Sequence, residues 1–276
     1  MNYTGEIITS RQNPLVKFLV SLQDKKGRDQ ARSFFVEGVK LSDEAFGNSL
    51  PITHCIISES RISTLLSKYQ ALVNESKSDE ARIVVVADAV FEKISTEKAP
   101  QGVITVIKYL DFFSNMDIIY KEDFFYSSDE RAIILSSVRD PSNLGSVIRS
   151  AAALGVTHVV VSSDCADVYS PKTVRAAMGS LFHVKLTKVK DLVGFIAACR
   201  EGGRRVFSAE LDEGARRLAK GTLTDRDIVV IGNEGHGVSR EVSLACDGAI
   251  YIPICSGIES LNASVAAAIF MWEQFN

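Results

Sequence analysis

Three short segments in the C-terminal half carry the residue types that could do chemistry. The first is DPSNLGSVIRSAAALG, residues 140–155, directly after an apolar run. Pro141 fixes its own φ and keeps Asp140 out of helical backbone, so the pair opens a turn. Asn143 and Gly145 then fall at a helix start, where backbone N–H groups are free to receive an anion. Arg149 follows beside Ile148 and a run of alanines, which reads as a directed charge in a close-packed place; an ordinary cap with a surface arginine is the plainer alternative. The second segment is IGNEGHGV, residues 231–238. Gly232, Gly235 and Gly237 exclude a regular element and permit positive φ or close backbone approach to a ligand, with Glu234 held between them. The spacing G-x-x-G-x-G differs from the dinucleotide pattern G-x-G-x-x-G, and a plain turn stays open. The third is YIPICSGIESLNASVAAAIFMWEQF, residues 251–275. A strand ends at Pro253, a loop holds Gly257, and Ser260 or Asn262 is placed to cap a helix. Ala263, Ala266, Ala267 and Ala268 let that helix approach another element closely; a capped helix that closes the fold is the alternative. A weaker fourth segment, SPKTVRAAMGSLF at 170–182, sets Pro171 behind Ser170 in a first turn. It brings Lys172 and Arg175 to neighbouring helix positions, where both could face phosphates or simply solvent.

These segments need a frame, and 276 residues give room for two domains. In the first part, PLVKFLVSLQ, VKLSDEAFGN, STLLSKYQALVNES and DAVFEKIS read as helices. SFFVEG, HCIISES, RIVVVA and GVITVIKYL read as strands between them. In the second part, the strands RAIILSSV, THVVVSS, LFHVKL, RRVFSAEL, DIVVIG and AIYIPI are short and continuously apolar. Helices lie between nearly all of them, the pattern of a parallel sheet covered on both faces. The stretch 111–130 breaks the alternation, with Asp111, Asp117, Glu122, Asp123, Asp129 and Glu130 against Lys121 and no clean period. The expected organisation is therefore a domain over 1–110, a connector over 111–130 and a domain over 131–276.

Composition excludes several classes. The net charge of −3 gives no global basic excess, so nucleic-acid binding would need a local patch. One candidate exists: Arg11, Lys17, Lys25, Lys26, Arg28 and Arg32 cluster around the first helix and the turn after it, as a solvated face or a phosphate-contacting one. Cys55, Cys165, Cys199, Cys246 and Cys255 are scattered, with no C-x-x-C pair, so reduced thiols are expected rather than zinc or disulfides. The four histidines have no ligand spacing, and no metal is expected. Neither a signal peptide nor a run of about 18 apolar residues is present, so no membrane role and a cytoplasmic location are expected.

Taken in order, DPSNLGSVIRSAAALG, SPKTVRAAMGSLF, IGNEGHGVS and IPICSGIESLNASVAAAI resemble the successive motifs of the SpoU/TrmH methyltransferases of the SPOUT superfamily. The likeness runs from about residue 131 to the end. ITSRQNPLVKFLVSL, FFVEGVKLSDEA and QGVITVIK resemble the family's accessory substrate-binding domain, which is similar to a ribosomal-protein fold. The resemblance implies a trefoil-knotted parallel-sheet domain, S-adenosylmethionine as cofactor, a homodimer with the site near its interface, and a structured RNA substrate. It implies methylation of a ribose 2′-hydroxyl, in 23S ribosomal RNA rather than tRNA. By position it makes Asn143, Arg149, Glu234, Ser260 and Asn262 the catalytic set. It places Gly232, Glu234, Gly235, Ile252, Pro253, Leu261, Asn262 and Ala266 at the cofactor. Lys172 and Arg175 join the basic cluster of the first domain as RNA contacts. Two rivals are a non-catalytic RNA-binding module with the same fold and an unrelated nucleotide-dependent enzyme; the second lacks an early βαβ fingerprint.

Overall fold

The computed structural model describes residues 5–78, 80–110, 113–116, 130–212, 214–257 and 260–275. They form two compact units. One holds the described residues up to Leu110 together with Tyr169–Phe182, and the other holds the rest.

The first unit is built from β1 (Ile7–Ile8), α1 (Pro14–Ser21), α2 (Lys25–Ala31), β2 (Ser33–Glu37), α3 (Val39–Gly47), β3 (Ile52–Ser58), α4 (Ile62–Glu75), β4 (Arg82–Val86), α5 (Asp88–Ile94) and β5 (Val103–Lys108). Its sheet runs β1-β4-β3-β5-β2, with β5 antiparallel to both its neighbours. Asn13 caps α1 through Oδ1, which accepts the Leu15 N–H at 2.9 Å, and Pro14 needs no partner in the first turn. Val16, Leu19 and Leu22 then pack with Phe35, Ile56 and Phe91 in the core.

Arg28 corrects the expected basic cluster. It is 3% exposed, and its Nη1 donates to the carbonyls of Leu22 (2.8 Å) and Gln23 (2.7 Å). Those carbonyls follow the end of α1, where acceptors lack helical donors. Arg28 is a structural cap and is withdrawn from the RNA contacts.

The sequence pattern places Tyr169–Phe182 in the second part, whereas in the structure the segment clusters with the first unit. The cause is aromatic. The Tyr169 ring stacks on Tyr109 at 4.3 Å and tilts against Phe34 at 4.5 Å, and its Oη accepts the Leu110 N–H at 3.1 Å. The helix α7 (Pro171–Ala177), capped by Ser170, follows.

The second unit holds β6 (Phe113–Met116), β7 (Ala132–Leu135), α6 (Pro141–Ala153), β8 (His158–Ser162), β9 (Lys185–Val189), α8 (Leu192–Glu201), β10 (Val206–Ala209), β11 (Arg216–Arg217), β12 (Ile228–Ile231), α9 (Arg240–Ala245), β13 (Gly248–Tyr251) and α10 (Ala263–Phe275). All its strand pairs are parallel, in the order β11-β13-β10-β12-β7-β8-β9-β6. β7, β8 and β12 are buried along their whole length, as expected where helices cover both faces. β6 adds a strand inside the stretch read as a connector, pairing with β9; residues 111–112 and 117–129 lie outside the described residues. LFHVKL also divides, since Ser180–Phe182 is a 3-10 turn and the strand starts only at Lys185. The central position of β12 beside β7 brings the loops after these two strands together at their C-terminal ends, where open parallel sheets bind ligands.

Candidate active site

The site starts at the end of β7. Ser137 is in left-handed backbone at φ 59°, which is costly for a residue with a Cβ and persists only when its surroundings enforce it. Three groups do so. Its N–H donates to Ser162 Oγ (2.8 Å), its Oγ donates to Asp164 Oδ2 (2.6 Å), and its carbonyl accepts Asn233 Nδ2 (2.7 Å). The last bond ties the glycine loop after β12 to the end of β7. Asp140 then caps α6, its Oδ1 accepting the N–H groups of Ser142 (2.7 Å) and Asn143 (3.0 Å). The N–H groups expected to stand free for an anion are therefore taken by this cap.

Glu234 organises what remains. Its Oε1 accepts the Asp140 N–H at 3.1 Å and Asn143 Nδ2 at 3.0 Å, and its Oε2 accepts the Arg139 N–H at 3.2 Å. A carboxylate can only accept, so the Asn143 amide must turn its nitrogen to Glu234. That leaves Asn143 Oδ1 to accept Asn262 Nδ2 at 2.9 Å. The Asn262 amide is thereby fixed too, and its Oδ1 caps α10 by accepting the Ser264 N–H at 2.9 Å. Of the two candidate caps, Asn262 is the one used. One carboxylate thus sets the polarity of a chain of amides across three loops. Burial pushes the Glu234 carboxyl up, but the hydrogen bonds from Asn143 and from backbone N–H groups outweigh it, and the net shift is below the usual glutamate value.

Beside this chain lies a cleft of about 700 Å³ between the loops after β12 and β13 and the start of α10. Gly232, Glu234, Gly235, Ile252, Pro253, Ser260, Leu261 and Ala266 all line it. The glycines act differently from the expectation. A Cβ on Gly232 would sit 2.2 Å from the backbone of Gly237, so that glycine lets the loop close on itself, through an antiparallel bridge between Asn233 and Gly237. Only Gly237 of the three has positive φ, at 68°.

Arg149 stands apart. It is exposed on α6, and among the described residues no hydrogen bond or ion pair engages its guanidinium. The remaining RNA candidates also separate. Lys17, Lys25, Lys26 and Lys172 are exposed, Arg11 donates to the Ala89 carbonyl at 3.2 Å, and Arg32 lies 4.8 Å over the Tyr109 ring. Arg175 is committed within its own unit, paired with Glu97 and donating to the Thr96 carbonyl at 3.3 Å. Sequence reasoning missed Ser137 and Asn233. The ordinary cap held open as the plainer alternative is Asp140, since Asp is a favoured N-cap residue and Pro a favoured first position.

A model of the SpoU rRNA methylase family matches residues 130–272, over half of the chain. The chain belongs to the SpoU rRNA methylase family. A model of the MRM3-like substrate-binding domain matches residues 13–105 of this SpoU chain. The chain is 26% identical to the 23S rRNA (guanosine(2553)-2′-O)-methyltransferase RlmP of Bacillus subtilis, over 96% of this chain and 97% of that one. It is 29% identical to the 23S rRNA (uridine(2479)-2′-O)-methyltransferase of Streptomyces viridochromogenes, over 96% of this chain and 90% of the relative. The crystal structure of an AdoMet-bound rRNA methyltransferase from Sinorhizobium meliloti superposes with a TM-score of 0.81 at 27% identity, covering 97% of this chain and 96% of that one.

Proposed function

We propose that this SpoU chain transfers a methyl group from S-adenosylmethionine to a ribose 2′-hydroxyl of 23S ribosomal RNA. The observation that carries the reading is the Glu234–Asn143–Asn262 chain, whose Glu234 lines the cleft. The cleft fits the cofactor: its volume lies within the roughly 300–1,000 Å³ of small-molecule sites, and its walls are mostly apolar with a few placed polar groups. Gly232, Gly235, Ile252, Pro253, Leu261 and Ala266 would hold it, and when bound it supplies an electrophilic methyl on a good leaving group. What the chain's own residues must do is align the hydroxyl and ease loss of its proton. Asn143, Ser260 and Asn262 orient the ribose and the loops. A guanidinium is a donor and not a base, so Arg149 serves as a clamp on the target phosphate and a donor to the developing alkoxide. The proton then leaves through the phosphate or a water.

The first unit holds the RNA. Lys17, Lys25 and Lys26 are exposed on and just after α1, and phosphate contacts of this kind make binding salt-dependent. Changing Lys25 and Lys26 together to Glu is expected to weaken RNA binding and flatten its salt dependence while sparing cofactor affinity. Filter binding across a salt series checks this, and an unchanged slope would remove these lysines from the interface. The substitution is a cleaner test than deleting residues 1–110, which would strip Tyr169 of Phe34 and Tyr109.

The reading includes the trefoil knot and the homodimer of the family, and a cytoplasmic location beside the ribosome. No helix among the described residues is long and apolar enough to cross a membrane. The dimer is supported by a groove between α6 and α10 lined by Leu154, Val265, Ala268, Ile269 and Trp272, with Trp272 59% exposed. Exposed apolar patches of this kind mark protein contacts. Trp272→Asp is expected to shift the protein from dimer to monomer in sedimentation velocity, and a dimer that persists unchanged refutes this face as the interface.

A productive assay is direct. Purified protein, labelled S-adenosylmethionine and unmodified 23S RNA should give a single 2′-O-methyl site; transfer to tRNA alone would overturn the RNA assignment.

A further inference from the structure

The cleft contains a second carboxylate that the mechanism above does not use. Glu210 stands one residue past β10, and its N–H donates to the Ile250 carbonyl at 3.2 Å, which continues the pairing of β10 with β13. Its side chain accepts from Ser208 Oγ at 2.6 Å and from Ser243 Oγ, and both bonds land on Oε1. Ser208 is fully buried in the sheet and Ser243 belongs to α9, so two independent elements aim this one side chain. Oε2 is left unengaged among the described residues, and no cation there pairs with Glu210. The residue lines the cleft together with Ile231, Ile250, Ala266 and Phe270.

A carboxylate present only for its charge would need no aim. One locked at a single oxygen by two hydroxyls offers its other oxygen as a directional acceptor, suited to an O–H or N–H donor on a ligand. Ile231, Ile250, Ala266 and Phe270 give the cleft apolar surface that suits a nucleoside base and ribose, while Arg217 and Glu234 on the same lining are charged partners open to an amino-acid end. The structure assigns Glu210 the ribose hydroxyls of the nucleoside cofactor, with Ser208 and Ser243 as its positioning residues. This rests on the cofactor named under the proposed function.

Isothermal titration of the full chain tests it with two probes. One is S-adenosylmethionine. The other is 5′-methylthioadenosine, which keeps the ribose and lacks the amino-acid end. Glu210→Gln keeps the oxygen that the serines hold and replaces the free acceptor with a donor. Affinity for both probes is expected to fall by the same factor, about tenfold for the loss of a charge-assisted bond. Ser243→Ala, which loosens the aim without removing the acceptor, is expected to weaken both probes in the same ratio to each other. A loss confined to S-adenosylmethionine would mean that Glu210 meets the ammonium, and no loss for either would mean that it meets neither; both overturn the assignment. A wild-type chain that binds neither probe refutes the cofactor reading itself, a result distinct from these. Thermal melts without ligand that match the wild type exclude misfolding as the cause of weaker binding.

Discussion

Glu234→Gln is expected to lower methyl transfer by about 10²-fold or more, although it is the mildest change available at that position. The reason is the chemistry of the partners. Glu234 faces the N–H groups of Arg139 and Asp140 and the Asn143 amide nitrogen, all of them donors. A glutamine must turn an NH₂ toward at least one donor, so either the loop moves or the Asn143 amide reverses. A reversed Asn143 presents its nitrogen to Asn262 Nδ2, and the order passed to the cap of α10 is lost. Glu234 is exposed but feeds the α10 cap, so thermal stability should fall by about 1 kcal/mol, the scale of a weakened cap, too little to unfold the chain; the larger loss would appear in turnover. The same carboxylate sets an acid limit. Its folded pKa lies below the ordinary value of 4.5, so its contribution is complete above that value and disappears only as pH falls through the lower, folded one. Cofactor affinity measured down the pH scale should therefore hold through pH 4.5 and fail below it. Failure at higher pH would show that a different group governs the loops.

Arg149→Lys is expected to lose transfer by about 10²- to 10³-fold, close to the loss in Arg149→Ala. The guanidinium fork can bind a phosphate oxygen and a developing alkoxide at once, whereas an ammonium is a single point charge. The side chain is exposed and unengaged within the described chain, so neither change should disturb the fold. Single-turnover rates with saturating RNA separate the effect from binding. Near wild-type rates in Arg149→Lys would refute the clamp and leave Arg149 a simple electrostatic contact.

Much of the second unit could be read from sequence because its strands are continuously apolar and its three motifs sit at strand ends. Asn143, Glu234 and Asn262 were identifiable as a set, but not their order of donation, which depends on a carboxylate meeting two amides. The glycines were visible, yet Gly232 serves closure of its own loop, a matter of backbone distances no pattern encodes. Arg28 looked like its basic neighbours, since nothing local tells which cation bends back to the carbonyls at the end of α1. The attachment of Tyr169 was equally hidden, because Phe34 and Tyr109 are remote in sequence.

That attachment bears on how the protein is made. Synthesis is vectorial, and domains tend to fold as they emerge. The first unit cannot complete its aromatic cluster of Phe34, Tyr109 and Tyr169 when Leu110 leaves the ribosome, since Tyr169 has yet to be translated. A nascent chain must therefore carry an unfinished first unit through the synthesis of β7, α6 and β8, and seal it only once α7 appears. The order of translation thus leaves an exposed aromatic surface for chaperones over that interval, in a protein whose sequence reads as two consecutive domains.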